Sequence, residues 1–378
     1  MATCFHALWC EQSANLFLEG WLKLLPTSYF HAIERRLNDA ATQHLSAPGV
    51  VSLGELMRLY VMRPGKRVRP QLVAWTYLSA TQSNDDAPLT QSVLDVAAAW
   101  EIFHAFLLIH DDIIDGSDFR RLEPALHRQL QSLDSDSPRF GANLAIVAGD
   151  LMYAGTMRLL ADLPDVTDSA YRQLHQVFAQ VAQLTGFGQA IDILQSHTPI
   201  EQCNEQTLLS EYHWKTAAYT FEGPMLCGAI LAGADVATRD AISRFALSIG
   251  QAYQLQNDLL DLARPVTEGS DMTEAKRTIT LLRARASMRD THRADFDADL
   301  ALVQAADGRA LAIAESLRKR VIASGALDAT RVTLDALLSD AHAATDDRAL
   351  PPGLAHAMRN LLQSLSNTYF RPANSVTT

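Results

Sequence analysis

The sequence predicts an all-α protein, a single large helical bundle spanning residues 1–378, and three observations carry that expectation. Long stretches rich in Ala, Leu, Val and aromatic residues run with few turn formers inside them, which is the composition of helix interiors. Alternating β-branched strands joined by paired turn residues are absent from the sequence. The breakers fall between the apolar runs instead, at Pro64-Gly65, SNDDAP (83–88), DSDSP (134–138), SHTP (196–199) and ARPVTEGSD (263–271).

Taken in order, PGKRVRP (64–70) is a turn entering a helix, and helices are expected over 89–110, 169–194, 208–232, 237–262 and 310–324. TDDRALPPG (345–353) separates the remainder, which reads as one more helix of at most about 25 residues with a frayed tail. With 48% hydrophobic residues the chain can bury a large core. Its net charge of −11, from 43 acidic and 32 basic side chains, disfavours nucleic acid as a partner. The four cysteines show no CxxC pair or metal spacing and suit a reducing compartment. The N-terminus has no basic start, and Glu11 and Glu19 interrupt its apolar residues, so it does not read as a signal peptide. No apolar run in the sequence approaches the roughly 18 residues of a spanning helix. A cytoplasmic protein without a transmembrane segment is expected.

Two acidic stretches carry the chemistry. In QLQNDLLD (254–261), Gln254, Asn257, Asp258 and Asp261 are spaced i, i+3, i+4, i+7, which places them on one helix face. Alone, such a stripe is an ordinary polar face of an amphipathic helix. Upstream, HAFLLIHDDIIDGSDFRR puts Asp111 and Asp115 one turn apart with Asp112 beside them, at the end of an apolar run. Three such carboxylates repel one another and resist desolvation. A hard divalent cation relieves both problems, and an all-oxygen donor set points to Mg²⁺ rather than zinc. Magnesium takes one or two carboxylates and completes its shell with water or phosphate oxygens, so two clusters in one helical protein point to a diphosphate ligand. Cations to hold that anion occur in separate groups: Lys66, Arg67 and Arg69; Arg120 and Arg121; Lys215; and Lys276.

In this order the motifs resemble the trans-isoprenyl diphosphate synthases, or polyprenyl synthetases, over roughly residues 60–285. GKRVRP resembles that family's GKRxRP. Glu101 to His104, HDDIID and the paired arginines resemble its first aspartate-rich region, with Pro124 and His127 downstream. GDLMYA (149–154), GQAIDI (188–193), KTA (215–217) and YQLQNDLLD also match. The resemblance implies an all-α bundle around a central cavity, usually a homodimer, that joins an allylic diphosphate to isopentenyl diphosphate. It implies that Asp111, Asp115, Asn257, Asp258 and Asp261 bind Mg²⁺, a trio of ions once diphosphate is present, with Asp112 in support. Lys215, Arg120 and Lys276 would hold the allylic diphosphate, and Lys66, Arg69, His104 and Arg121 the isopentenyl diphosphate. Thr216 and Gln254 would face the developing allylic cation. Phe106 and Leu107, just before the first aspartates, would form the cavity floor and favour a C20 product, with C15 next.

This chain departs from the pattern in three places. Leu122 replaces the glycine expected after the arginines, Ala275 and Thr280 replace a glycine and a proline around Lys276, and Asn257 stands where the family has an aspartate. Two rival readings are a class I terpene cyclase and a non-catalytic partner subunit. The cyclase would want Ser or Thr at 261 and an acid or base at 265, where this chain has Asp261 and Pro265. The partner subunit would have lost aspartates that Asp111, Asp112 and Asp115 retain. For His104 the plain alternative is a hydrogen-bonded core histidine, and for Phe106 an ordinary core aromatic.

Overall fold

The computed structural model describes residues 24–82, 87–120, 123–134, 136–268, 271–305 and 310–370. These residues are helical almost throughout. The helices are α1 (Thr27–His44), α2 (Val51–Met62), α3 (Val68–Thr81), α4 (Gln91–Ile114), α5 (Leu126–Gln131), α6 (Phe140–Ala161), α7 (Asp168–His197), α8 (Glu205–Glu211) and α9 (Gly223–Leu231), followed by α10 (Val236–Leu262), α11 (Ile279–Ser287), α12 (Asp290–Gln304), α13 (Ala310–Ala323), α14 (Ala326–Ala344) and α15 (Pro352–Thr368). A π-helix, Tyr212–Glu222, joins α8 to α9. Two residue pairs, β1 (Phe119–Arg120) and β2 (Glu123–Pro124), form a short antiparallel ladder with Arg120 opposite Glu123.

Helix starts follow side-chain chemistry. Thr90 caps α4 by accepting from the Val93 N–H, Asn204 caps α8 through Thr207, and Thr278 caps α11 through Leu281, each satisfying an otherwise orphaned donor. The helix expected over 208–232 is one continuous helical path in three pieces, with the π-helix in the middle. The expected carboxy-terminal helix is α15.

The chain divides into two compact units. The first comprises Met1–His175 and Pro224–Asp235. In it α4 is the central element, packed against α1, α3 and α6, and it buries Trp100, Ile102, Phe103 and Ile109 almost completely. The second comprises Gln176–Gly223 and Val236–Thr378. There α10 packs on the π-helix and on α14, and a further apolar cluster forms around Phe296, Leu300, Leu317 and Val321. Among the described residues two helices, α4 and α6, are long and apolar enough to cross a membrane, although no comparably long run free of polar residues exists in the sequence. In α4 the qualifying window is 72% buried inside the protein, as a core helix must be.

Candidate active site

In the first unit α4 brings the first acidic cluster to its carboxy-terminal end. Asp112 is completely buried and is held from two sides. Arg120 donates from Nε to Asp112 Oδ1 at 2.7 Å and from Nη2 to the same oxygen. The Tyr60 hydroxyl donates to Oδ2 at 3.3 Å. Burial raises the Asp112 carboxyl above the usual aspartate range, against the opposing pull of Arg120. Asp111 and Asp115 are only half-buried, and Asp111 Oδ2 takes a 3.3 Å bond from Arg120 Nη2. Asp112 is thus committed to Arg120 and Tyr60, while Asp111 and Asp115 keep partial exposure.

Arg63, which sequence reasoning missed, fixes the segment that carries Arg120. Its guanidinium lies 4.6 Å above the Tyr60 ring. It pairs with Glu123 at 2.9 Å and donates to the Pro124 carbonyl at 2.9 Å. Arg121 and Leu122 lie outside the described residues.

The basic turn is shaped by Arg67, which adopts left-handed φ of 48°, a costly conformation for a residue other than glycine. Its buried guanidinium offsets that cost by donating to Glu34 at 2.6 Å, Glu101 at 2.8 Å and the Val61 carbonyl at 3.0 Å. With Arg67 committed to the interior, Lys66 stays half-buried and Arg69 enters the first turn of α3. Because α3 packs on α4, Arg69 and His104 sit on neighbouring helices, both largely buried. Two residues nearer the aspartates, the half-buried Phe106 meets Phe103 and Tyr153 with ring centroids 5.5 Å apart and His110 at 4.8 Å. Gly149 of GDLMYA makes room for that histidine, since a Cβ there would lie 2.3 Å from His110 Nε2. Leu107 is half-buried beside Phe106.

In the second unit the π-helix and α10 join the remaining residues through side-chain bonds. Thr216 Oγ1 donates to Gln254 Oε1 at 2.9 Å, and Gln254 Nε2 donates to Asp258 Oδ1 at 2.9 Å. The Tyr212 hydroxyl closes on Asp258 Oδ2. Lys215 pairs with Asp192 of GQAIDI. Lys276 lies 2.8 Å from Glu274 and 3.5 Å from Asp271, and Ala275 beside it takes left-handed φ of 51°, the backbone that a glycine there would adopt without strain. Asp261 Oδ2 accepts from the Asp271 N–H at 3.0 Å. Asn257 Oδ1 accepts from the Tyr369 hydroxyl. Four residues absent from the sequence-based set thus enter: Asp192, Tyr212, Asp271 and Tyr369. Asp192 was legible in the quoted GQAIDI. Tyr212 and Tyr369 carry no local signal, whereas Asp271 lies five residues before Lys276.

Burial and the neighbouring Asp271 charge push Asp261 up to about 6 and raise Asp258 as well. Lys276 offsets only part of that crowding, and carboxyls so placed would take a hard cation through oxygen alone. Among the described residues no group of three or more His, Cys, Asp or Glu side chains comes together in a way that could hold a metal ion.

A model of the family described as Polyprenyl synthetase matches residues 51–310. The geranylfarnesyl diphosphate synthase of Natronomonas pharaonis is 30% identical over 273 residues, 67% of this chain and 75% of its own length. The geranylgeranyl diphosphate synthase of Sulfolobus acidocaldarius is 30% identical over 68% of this chain and 73% of its own length. The crystal structure of a geranylgeranyl pyrophosphate synthase from Corynebacterium glutamicum, complexed with isoprenyl diphosphate and magnesium, has a TM-score of 0.75 at 28% identity, covering 90% of this chain and 99% of that one.

Proposed function

We propose, from the premise that this chain belongs to the polyprenyl synthetase family and is a trans-isoprenyl diphosphate synthase, that it uses Mg²⁺ to condense isopentenyl diphosphate with an allylic diphosphate into a C20 all-trans prenyl diphosphate. The observation that carries this reading is the crowding of carboxyls at Asp258 and Asp261 near a lysine, Lys276, with a hydroxyl-to-amide chain from Thr216 to Gln254. The magnesium complex of the Corynebacterium relative supports the choice of metal. The family match runs unbroken through residues of both units, which supports one catalytic domain.

Each residue has a role its surroundings suit. Asp111, Asp115, Asp258, Asp261 and the Asn257 carbonyl offer oxygens to Mg²⁺, which when bound supplies positive charge against the departing diphosphate. Asp112 holds Arg120 in place. Lys215, Lys276 and Arg120 bind allylic diphosphate oxygens and stabilise the charge that builds as the C–O bond breaks. Lys66, Arg69 and His104 bind isopentenyl diphosphate, and the resemblance gives Arg121 the same role. The oxygens of Thr216 and Gln254 present partial negative charge to the allylic cation. Ile146, Val147 and Leu151 leave an apolar stretch of α6 uncovered, which supports a homodimer. A cytoplasmic location agrees with these water-soluble substrates.

Steady-state kinetics on both substrates test the division of roles. Arg69→Ala and His104→Ala should raise KM for isopentenyl diphosphate by about tenfold or more, the scale of a lost charged contact, and leave the allylic KM nearly unchanged. Lys215→Ala should instead lower kcat. Incubation of the wild type with Mg²⁺ and an allylic diphosphate, with and without isopentenyl diphosphate, identifies the reaction. Hydrocarbons formed from the allylic substrate alone would overturn the reading in favour of a cyclase.

A further inference from the structure

We propose that Tyr369 is a positioning residue of the second acidic cluster: it fixes the Asn257 side chain on α10 and so makes the carboxy-terminal helix part of the catalytic scaffold. The proposal rests on the metal-side role given to Asn257 above. Residue 369 lies beyond the stretch matched by the family model.

Tyr369 follows α15 directly, and its N–H bonds the Leu365 carbonyl at 2.8 Å, which anchors it to the last turn. It is 7% exposed. Its ring stacks on Tyr253 with centroids 5.1 Å apart and planes 24° from parallel, and Phe370 packs edge-on against it at 5.3 Å. Tyr253 in turn meets Phe221 of the π-helix edge-on at 5.5 Å. Tyr253 and Asn257 are one helical turn apart on the same face of α10. The tyrosine therefore lays its ring on the first and directs its hydroxyl to Oδ1 of the second.

That contact matters because the residue is an asparagine. A carboxylate offers an oxygen whichever way it turns, whereas an amide offers one oxygen and one NH₂ donor. An NH₂ turned toward a cation would repel it. A hydroxyl donating to Oδ1 fixes which end lies where, and it leaves that oxygen a second lone pair. Gln254 and Asp258, the neighbours of Asn257 on this face, are bonded to each other and to Thr216 and Tyr212, and the bond that orients Asn257 comes from the carboxy-terminal segment. The tyrosine ring thus provides placement and its hydroxyl provides orientation, and the two are separable by mutation.

Tyr369→Phe removes the hydroxyl and keeps the stack. The experiment is Mn²⁺ binding in the presence of inorganic diphosphate, followed by electron paramagnetic resonance, on the full-length wild type, Tyr369→Phe, Asn257→Ala and the double variant, with thermal unfolding of each as a check on folding. Tyr369→Phe is expected to weaken Mn²⁺ binding about fivefold, the factor corresponding to one hydrogen bond of about 1 kcal/mol, with an unchanged melting temperature. In the Asn257→Ala background the same substitution should have no further effect, because the tyrosine acts through the asparagine. Equal weakening in both backgrounds would mean a general structural role and overturn the proposal, as would no weakening in Tyr369→Phe. A wild type that binds no Mn²⁺ with diphosphate would instead overturn the metal assignment itself, and the positioning role with it.

Discussion

Phe106 is wedged among Phe103, Tyr153 and His110, so its ring has aromatic neighbours on two helices and is only half-buried. If it closes the end of the path taken by the growing chain, Phe106→Ala removes a ring and lengthens the product. Chromatography of dephosphorylated products should show a shift from C20 to C25 and longer, at a stability cost of about 3 kcal/mol or less for a partly exposed aromatic. An unchanged distribution would leave Phe106 as a core residue only. At this scale the sequence was most legible where a residue's role is local. Asp111, Asp112 and Asp115 sit together because a helix puts them there, and Ala275 occupies a left-handed backbone position that its glycine-bearing motif foreshadowed. Arg63, Tyr212 and Tyr369 were not legible, because their partners lie tens to more than a hundred residues away and a single sequence holds no record of that pairing.

The segment around Lys215 shows what an element-level reading misses. Composition indicated helix over 208–232, and it is helical, but Tyr212–Glu222 winds as a π-helix, a form common at functional sites and without a compositional signature. Gly188 explains how α7 can approach it. A Cβ at that position would lie 2.3 Å from the Lys215 backbone nitrogen and 2.7 Å from its Cα, contacts that no rotamer change relieves. Gly188→Ala should push the π-helix away from Asp192 and disturb the Lys215–Asp192 pair. We expect a loss of about 1–3 kcal/mol in stability, typical of overpacking, together with a drop in kcat. Chemical denaturation and kinetics measure the two. Wild-type values for both would show that the helices can separate freely.

Across the whole molecule, net charge alone predicts little about acid or alkaline stability, but Glu211 does. It lies buried at the start of the π-helix. Burial first, and the nearby Asp192 charge second, hold its carboxyl far above the ordinary glutamate range. An acid whose folded pKa is raised takes up a proton on folding. Its contribution is therefore fully present below the unfolded value and is lost as pH rises toward the folded one. Melting temperatures of the metal-free protein should fall between about pH 4.5 and about pH 9, and Glu211→Gln should flatten that slope, since each pKa unit is worth about 1.4 kcal/mol. Parallel slopes in the two proteins would place the proton elsewhere. The helical class and the two acidic stretches were available from composition and spacing. The choice of buried acids was not, because burial is a property of the assembled chain.

The bond between Tyr369 and Asn257 also bears on how the protein is handled in the laboratory. Ordinarily the last residues of a chain are the natural place for a purification tag or a fluorescent fusion. Here cargo joined to Thr378 would follow Tyr369, whose hydroxyl bonds Asn257 of α10, by nine residues. Trimming the tail back through Tyr369 would delete that contact outright. Tags belong at the opposite terminus, and a sluggish preparation carrying a carboxy-terminal fusion says more about the fusion than about the enzyme.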